Sequence, residues 1–174
     1  MNMRTKPFTN KIKKKQFSAI YDNGDFIYIA TYSGDSSSMR DPLGPEYYLA
    51  ANATKEEIGA ALMDCLSHSR FLPHEENESF YDLDARNFSV EAWIRFMMEK
   101  YKYKSKRALL SGMDVCSVEQ FDGKIVIGPR CHVAPLIWVR RTTDQFEDVV
   151  IPDTSSPGEI GMAVKLGISR CTTE

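Results

Sequence analysis

The chain repeats itself, and the repeat limits the fold more than any other feature. Gln16 to Ile29 reads as a strand, an Asn23-Gly24 turn and a second strand, and Val115 to Ile127 reads the same way around Asp122-Gly123. Both dipeptides favour two-residue hairpin turns, whose central residues need positive φ. A shift of 99 residues carries Ser18 onto Ser117, Gly24 onto Gly123 and Phe26 onto Ile125. A shift of 102 then carries Tyr47-Tyr48-Leu49 onto Val149-Val150-Ile151, both strand-like. Thr54 and Ser156 follow as helix N-caps, and Glu57 and Glu159 complete a capping box in each copy. Pro157 suits the first helical position. Ile58-Gly59 then matches Ile160-Gly161, Ala61 matches Ala163, Leu62 matches Val164, and Leu66-Ser67 matches Ile168-Ser169.

Each unit is thus a β-hairpin, one or two further strands and a capped amphipathic helix, over about 16–70 and 115–171 of a single domain spanning 1–174. An acidic loop and a helix, about 73–107, join the halves. The expected class is α+β, with antiparallel sheets packed against helices. Gly59 and Gly161 each cost about 1 kcal/mol against Ala, and close approach of the helix to a sheet would explain them. The joining helix runs from about Val90 to Tyr103 and is expected to place Trp93, Phe96, Met97 and Tyr101 on one side. Leu136 to Val139 reads as a strand apolar enough to be central.

Composition narrows the function. With 174 residues, 43% apolar and 26% charged, the chain is ordinary for a globular domain. No apolar run approaches the ~20 residues of a spanning helix. Met1 to Lys15 is basic and lacks the apolar core of a secretory signal, so a cytoplasmic protein is expected. A net charge of −2 is poor for general polyanion binding. Cys65, Cys116, Cys131 and Cys171 show no CxxC or zinc spacing, and read as buried thiols in a reducing compartment. His68, His74 and His132 are scattered, and no phosphate loop or nucleophile elbow is present. Pro73-His74-Glu75-Glu76 reads as a solvated turn. Cys131-His132 alternates faces of a strand, which argues against a catalytic pair. Neither an enzyme nor a metal or cofactor protein is expected.

Two segments stand out as binding surfaces. Tyr32 to Tyr48 holds a Ser/Gly run and then Met39-Arg40-Asp41-Pro42-Leu43-Gly44-Pro45, a loop with a defined shape. Its Tyr32, Arg40 and Asp41, with Tyr47 and Tyr48, are expected to line a pocket. Glu75, Glu76, Glu78, Asp82 and Asp84 form an acidic stretch suited to steering a basic partner. Lys102-Tyr103-Lys104 interleaves base and aromatic, which suits either single-strand stacking or a helix C-terminus.

Four segments also carry a family resemblance: Thr9 to Lys15, Ser38 to Glu46, Ser67-His68-Ser69-Arg70-Phe71, and Val149-Val150-Ile151-Pro152 with its capped helix. Through them the chain resembles immunity proteins of contact-dependent growth inhibition (CDI) systems that pair with nuclease toxins. The resemblance implies a fold similar to Whirly-type single-strand DNA-binding domains. It also implies a cognate toxin domain as partner, bound in some members by β-augmentation, with no membrane, nucleic acid or small-molecule substrate. The alternative is a single-stranded nucleic-acid-binding module on a Whirly-like surface, with the basic start and the Tyr-rich strands as its evidence.

Overall fold

The computed structural model describes residues 14–140 and 147–174. Most of the basic N-terminal segment and Thr9 to Lys13 therefore lie outside the described residues. Strands β1 (Gln16–Asp22) and β2 (Phe26–Gly34) form the first hairpin, and β5 (Asp114–Phe121) and β6 (Lys124–Pro129) form the second. The two hairpins join edge to edge, because β1 pairs antiparallel with β5, setting Ala19 opposite Ser117 and Ile20 opposite Cys116. With β3 (Ser38–Arg40), β4 (Glu46–Ala50) and β9 (Val149–Pro152), they make a seven-stranded sheet in the order β3-β2-β1-β5-β6-β9, with β4 also on β2. A second, three-stranded sheet has the order β10-β7-β8, from β7 (Cys131–Ala134), β8 (Ile137–Val139) and β10 (Thr172–Thr173). The α+β class is as the sequence implied. The sheets are unequal, because the long-range β1–β5 ladder merges both hairpins into one.

The turns differ between the hairpins. Asp122 and Gly123 both have positive φ (49° and 72°) and separate Phe121 from its partner Lys124, the two-residue turn expected there. In the first hairpin only Gly24 has positive φ (88°), and the ladder ends at Asp22 opposite Ile27. Asp22 and Asn23 side chains accept from the Gly24 and Asp25 N–H groups at 2.8 and 3.1 Å, so this loop is longer than the expected two-residue turn.

Helices α1 (Lys55–Ser67) and α4 (Pro157–Ser169) lie together on one face of the large sheet. Both capping boxes are formed, Thr54 with Glu57 and Ser156 with Glu159. Alternation along β2 sends Ile27 and Ile29 into this layer, where they meet Ile58, Leu62, Ile160 and Val164. Gly59 and Gly161 face the opposite helix, not the sheet. A Cβ on Gly59 would stand 1.8 Å from the Pro157 carbonyl oxygen, and one on Gly161 would stand 1.8 Å from that of Lys55. Lys55 and Pro157 are themselves separated by the shift of the sequence repeat, so equivalent residues meet across the helix pair.

The other residues of β2, Phe26, Tyr28 and Ala30, face a second core under α2 (Leu83–Tyr101) and α3 (Lys106–Leu110). Ile94 and Met97 of α2 are buried there, flanked by Val90, Trp93, Met98 and Tyr101. Phe96, expected on one side with Trp93, Met97 and Tyr101, stands at the margin of that stripe and is 47% exposed. Residues 82–87, the last part of a loop expected from Pro73 to Asn87, are the N-cap and exposed first turn of α2. Lys102 ends the helix at φ 59°. Tyr103 then hydrogen-bonds Asn23 Nδ2 at 2.7 Å and also Asp25, which ties this lysine-flanked tyrosine to the first hairpin. Leu136–Val139 is no central strand: β8 lies at the edge of the small sheet, with Ile137 51% exposed. Among the described residues no helix is long and apolar enough to cross a membrane, and no cluster of three or more metal-ligating side chains occurs.

Candidate functional site

The two ends of the molecule share a connection and differ in how it is finished. After α1 the chain returns to make a parallel bridge between Phe71 and Gly34, and after α4 it returns to pair Thr172 and Thr173 in parallel with Cys131 and His132. The first end is closed. Arg70 donates from Nε and Nη2 to the Asp41 carboxylate at 2.6 and 2.9 Å, Ser33 Oγ donates at 2.6 Å, and the Leu43 N–H donates at 3.0 Å. Burial alone would raise the Asp41 pKa. The bonds from Arg70, Ser33 and Leu43 outweigh it and hold the carboxyl below its usual range. Arg70 shifts upward in turn because it donates to Asp41. Thr31 Oγ1 donates to the Pro45 carbonyl at 2.8 Å, which fixes the far side of the same loop.

This arrangement separates the residues expected to line one pocket. Asp41 is spent inside the clasp, its side chain fully buried. Tyr47 and Tyr48 are neighbours in β4 and point to opposite faces. The Tyr47 hydroxyl donates to Asp64 of α1 at 2.5 Å, and that bond helps push its pKa up to about 12. Tyr48 stacks on Tyr28 at 5.0 Å, meets the edge of Phe96 at 5.4 Å and donates to Glu46 at 2.8 Å. Arg40 is 3.6 Å from the same Glu46. The Tyr32 hydroxyl is bonded to that of Tyr21 at 2.7 Å, and burial raises both pKa values. Tyr32, Arg40 and Tyr48 thus share the α2 face of the sheet, where Trp93 lies 5.2 Å from Tyr28. These aromatics are packed beneath the helix instead of forming an open stacking platform.

The acidic stretch is exposed and ordered. Glu75 and Glu76 lie in a single 3-10 turn, His74–Glu76, whose His74 ring stacks on Tyr81 at 4.3 Å. Asp82 caps α2 by accepting from the Ala85 N–H at 2.7 Å, and Asp84 sits in its first turn. Both carboxylates are favoured by the helix dipole there. Glu78 completes an exposed set of five carboxylates in the segment that leads into α2 and its first turn.

The second end is open. A cavity of about 690 Å³ lies between α3 and the small sheet, lined by Lys106, Arg107, Leu110, Ser111, the 132–135 segment, Thr173 and Glu174. His132 is 8% exposed, and its ring stacks on Trp138 at 4.6 Å. Neither of its ring nitrogens has a hydrogen-bond partner among the described residues. A neutral imidazole still carries one donor and one acceptor, and leaving them unmet in the interior costs about 1–3 kcal/mol. Beside it, β8 is an outer strand with no further strand paired to it among the described residues, and Leu136 in the β7–β8 turn is held at φ 64°. Sequence reasoning missed this site. Its one signal in the sequence is the Cys131-His132 pair, which by itself suggests only a thiol-imidazole dyad.

Comparison with known proteins agrees with this architecture. The family described as CDI immunity protein matches residues 16–171. Immunity protein CdiI-YPIII of Yersinia pseudotuberculosis serotype O:3 (strain YPIII) is 34% identical over 174 residues, covering 93% of this chain and 98% of that protein. Among solved structures, a chain of the CdiA-CT/CdiI toxin and immunity complex from Yersinia pseudotuberculosis superposes with a TM-score of 0.84 at 31% identity, covering 91% of this chain and 98% of its own. A protein of unknown function from Neisseria meningitidis superposes with a TM-score of 0.83 at 27% identity, covering 94% and 99%. A family match that runs from β1 to the end of α4 takes in both halves of the repeat and the helix between them, and the chain belongs to the CDI immunity protein family.

Proposed function

We propose that this chain protects the cell that makes it by binding a cognate CDI nuclease toxin domain in the cytoplasm, through β-augmentation at the outer edge of β8. As a member of its family the chain is a toxin inhibitor and not an enzyme. The reading of the interface rests on one observation: an outer strand with an exposed Ile137, beside a cavity lined in part by His132, whose ring nitrogens lack a hydrogen-bond partner among the described residues. An edge strand offers unpaired N–H and C=O groups to a partner strand, and a neighbouring pocket supplies side-chain specificity. The acidic set Glu75, Glu76, Glu78, Asp82 and Asp84 supports an electrostatic role. A nuclease carries positive potential where it holds nucleic acid, and five exposed carboxylates steer such a surface into encounter. Tyr32, Arg40, Tyr47 and Tyr48 act in this reading through the rigidity of the sheet. The Asp41–Arg70 clasp keeps the opposite end closed.

Hydrogen exchange on the complex with the toxin domain encoded beside this chain tests the interface. The expected result is protection concentrated in β7, β8 and β10. Protection confined to β9 or to β4, with the small sheet unchanged, would overturn the β8 reading.

A further inference from the structure

Among the four cysteines, Cys116 and Cys171 are set apart by their geometry. Cys116 is fully buried in β5. Cys171 is half-buried in the turn between α4 and β10. Their sulfurs are 3.6 Å apart. Cys65 instead points at the Pro45 and Ile29 carbonyls, at 3.4 and 3.8 Å. A disulfide requires about 2.05 Å between sulfurs, so closure asks the pair to approach by roughly 1.5 Å. Cys171 can make that movement, because it lies in a two-residue connection and not inside a ladder. Its N–H is held by the Ile168 carbonyl, and the next residue donates to Arg130.

We propose that Cys116 and Cys171 form a dithiol site that hydrogen peroxide closes to a disulfide, fastening the segment before β10 to the central sheet. The half-buried Cys171 meets the oxidant first. Its thiolate, having given its proton to solvent, attacks one peroxide oxygen. The O–O bond breaks, Cys171 becomes a sulfenic acid, and the departing hydroxide takes up a proton to leave as water. The Cys116 thiol then gives up its proton, and its sulfur displaces the hydroxyl of the sulfenic acid, which leaves as a second water. Two thiols lose two electrons and one peroxide gains them. The hydrogen bond between the two sulfurs supports this order, since it holds the Cys171 thiol below its ordinary range while raising that of Cys116. Because Thr172 and Thr173 pair with Cys131 and His132, the bond would anchor the strand that borders the cavity.

The full chain, folded and alone, is treated with hydrogen peroxide, quenched by alkylation and mapped by mass spectrometry. The expected result is the loss of two of the four alkylatable thiols, recovery of a Cys116–Cys171 linked peptide, and return of both thiols with dithiothreitol. In Cys171→Ser no link forms, and Cys116 loses its thiol at least about tenfold more slowly, since a buried apolar thiol is inert. The proposal is overturned if all four thiols survive in the folded chain under conditions that oxidise the urea-unfolded chain. Oxidation of Cys171 to the sulfinic acid with Cys116 intact would also overturn it, as would a link involving Cys65 or Cys131.

Discussion

Substituting Gly59 by Ala sets two known effects against each other, and the structure decides the sign. Inside an exposed helix the change would stabilise by about 1 kcal/mol through helix propensity. Here the added Cβ would stand 1.8 Å from the Pro157 carbonyl oxygen, a backbone atom that cannot rotate away. Ordinary contact begins near 3.4 Å, so α1 and α4 must separate by roughly 1.5 Å. A gap of 0.5–1 Å already forfeits a quarter to a half of each contact's attraction. Ile58, Leu62, Ile160 and Val164 all sit in the layer that would loosen. Overpacking costs about 1–3 kcal/mol, and a clash with rigid backbone falls at the top of that range, so a net loss of about 2 kcal/mol is expected after the propensity gain of about 1 kcal/mol. Urea denaturation is the assay, with the midpoint falling at constant m. The thermal midpoint should fall by about 4–8 °C for a chain of this size. Gly161→Ala should behave the same way, and the double variant should lose less than the sum, because the first substitution already parts the helices. An increase of about 1 kcal/mol in Gly59→Ala would refute the close-approach argument.

Other outcomes follow from the two ends of the fold. Asp41→Ala should cost about 2–3 kcal/mol in urea denaturation, because it removes the buried partner of a half-exposed Arg70; no loss would show that the clasp is dispensable. The Asp41 pKa is depressed in the folded state, so its contribution is complete above about pH 4 and disappears as pH falls through the lower folded value. Wild-type stability should drop over that acid range more steeply than that of Asp41→Asn. His132→Phe keeps the ring over Trp138 and removes two unmet nitrogens, so it should stabilise the free chain by about 1 kcal/mol while weakening toxin binding. Ile137→Lys should leave the thermal midpoint unchanged and reduce toxin affinity by about tenfold or more, read by calorimetry; unchanged affinity would move the interface away from β8. Replacing Glu75, Glu76, Glu78, Asp82 and Asp84 by their amides should lower the association rate by about tenfold at low salt, with little change in dissociation. A salt-independent rate in the parent chain would remove the steering argument.

What could be read from the sequence was local. Thr54 with Glu57, Ser156 with Glu159, and Asp122-Gly123 announce helix starts and a turn through bonds between residues three or fewer apart, and the structure contains each of them. The α+β class follows from those units alone. The merging of the hairpins depends on β1 meeting β5, residues far apart in the chain with no local mark. The purpose of Gly59 and Gly161 was hidden for the same reason: their partners, Pro157 and Lys55, belong to the other helix. Phe96 shares a side with Trp93 and Met97 yet stays half-exposed, because Val90, Ile94, Met97 and Tyr101 define the stripe that α2 buries. The apolarity of Leu136 to Val139 suits a central strand, but apolarity does not mark which neighbours a strand has, and β8 lies at an edge. The enclosure of Asp41 by Arg70 and Ser33 joins three separate segments and has no local mark either. The open cavity left no compositional trace, since an unmet His132 differs from a satisfied one only in its surroundings.

Protection by binding one cognate toxin is measured most directly by growth. The chain is expressed from one promoter and the toxin domain encoded beside it from another, with the toxin of an unrelated CDI system in parallel. Growth is expected with the cognate toxin, arrest with the unrelated one, and arrest with the cognate toxin when the chain carries Ile137→Lys and His132→Ala together. Arrest by the cognate toxin despite stable, folded wild-type chain would contradict it.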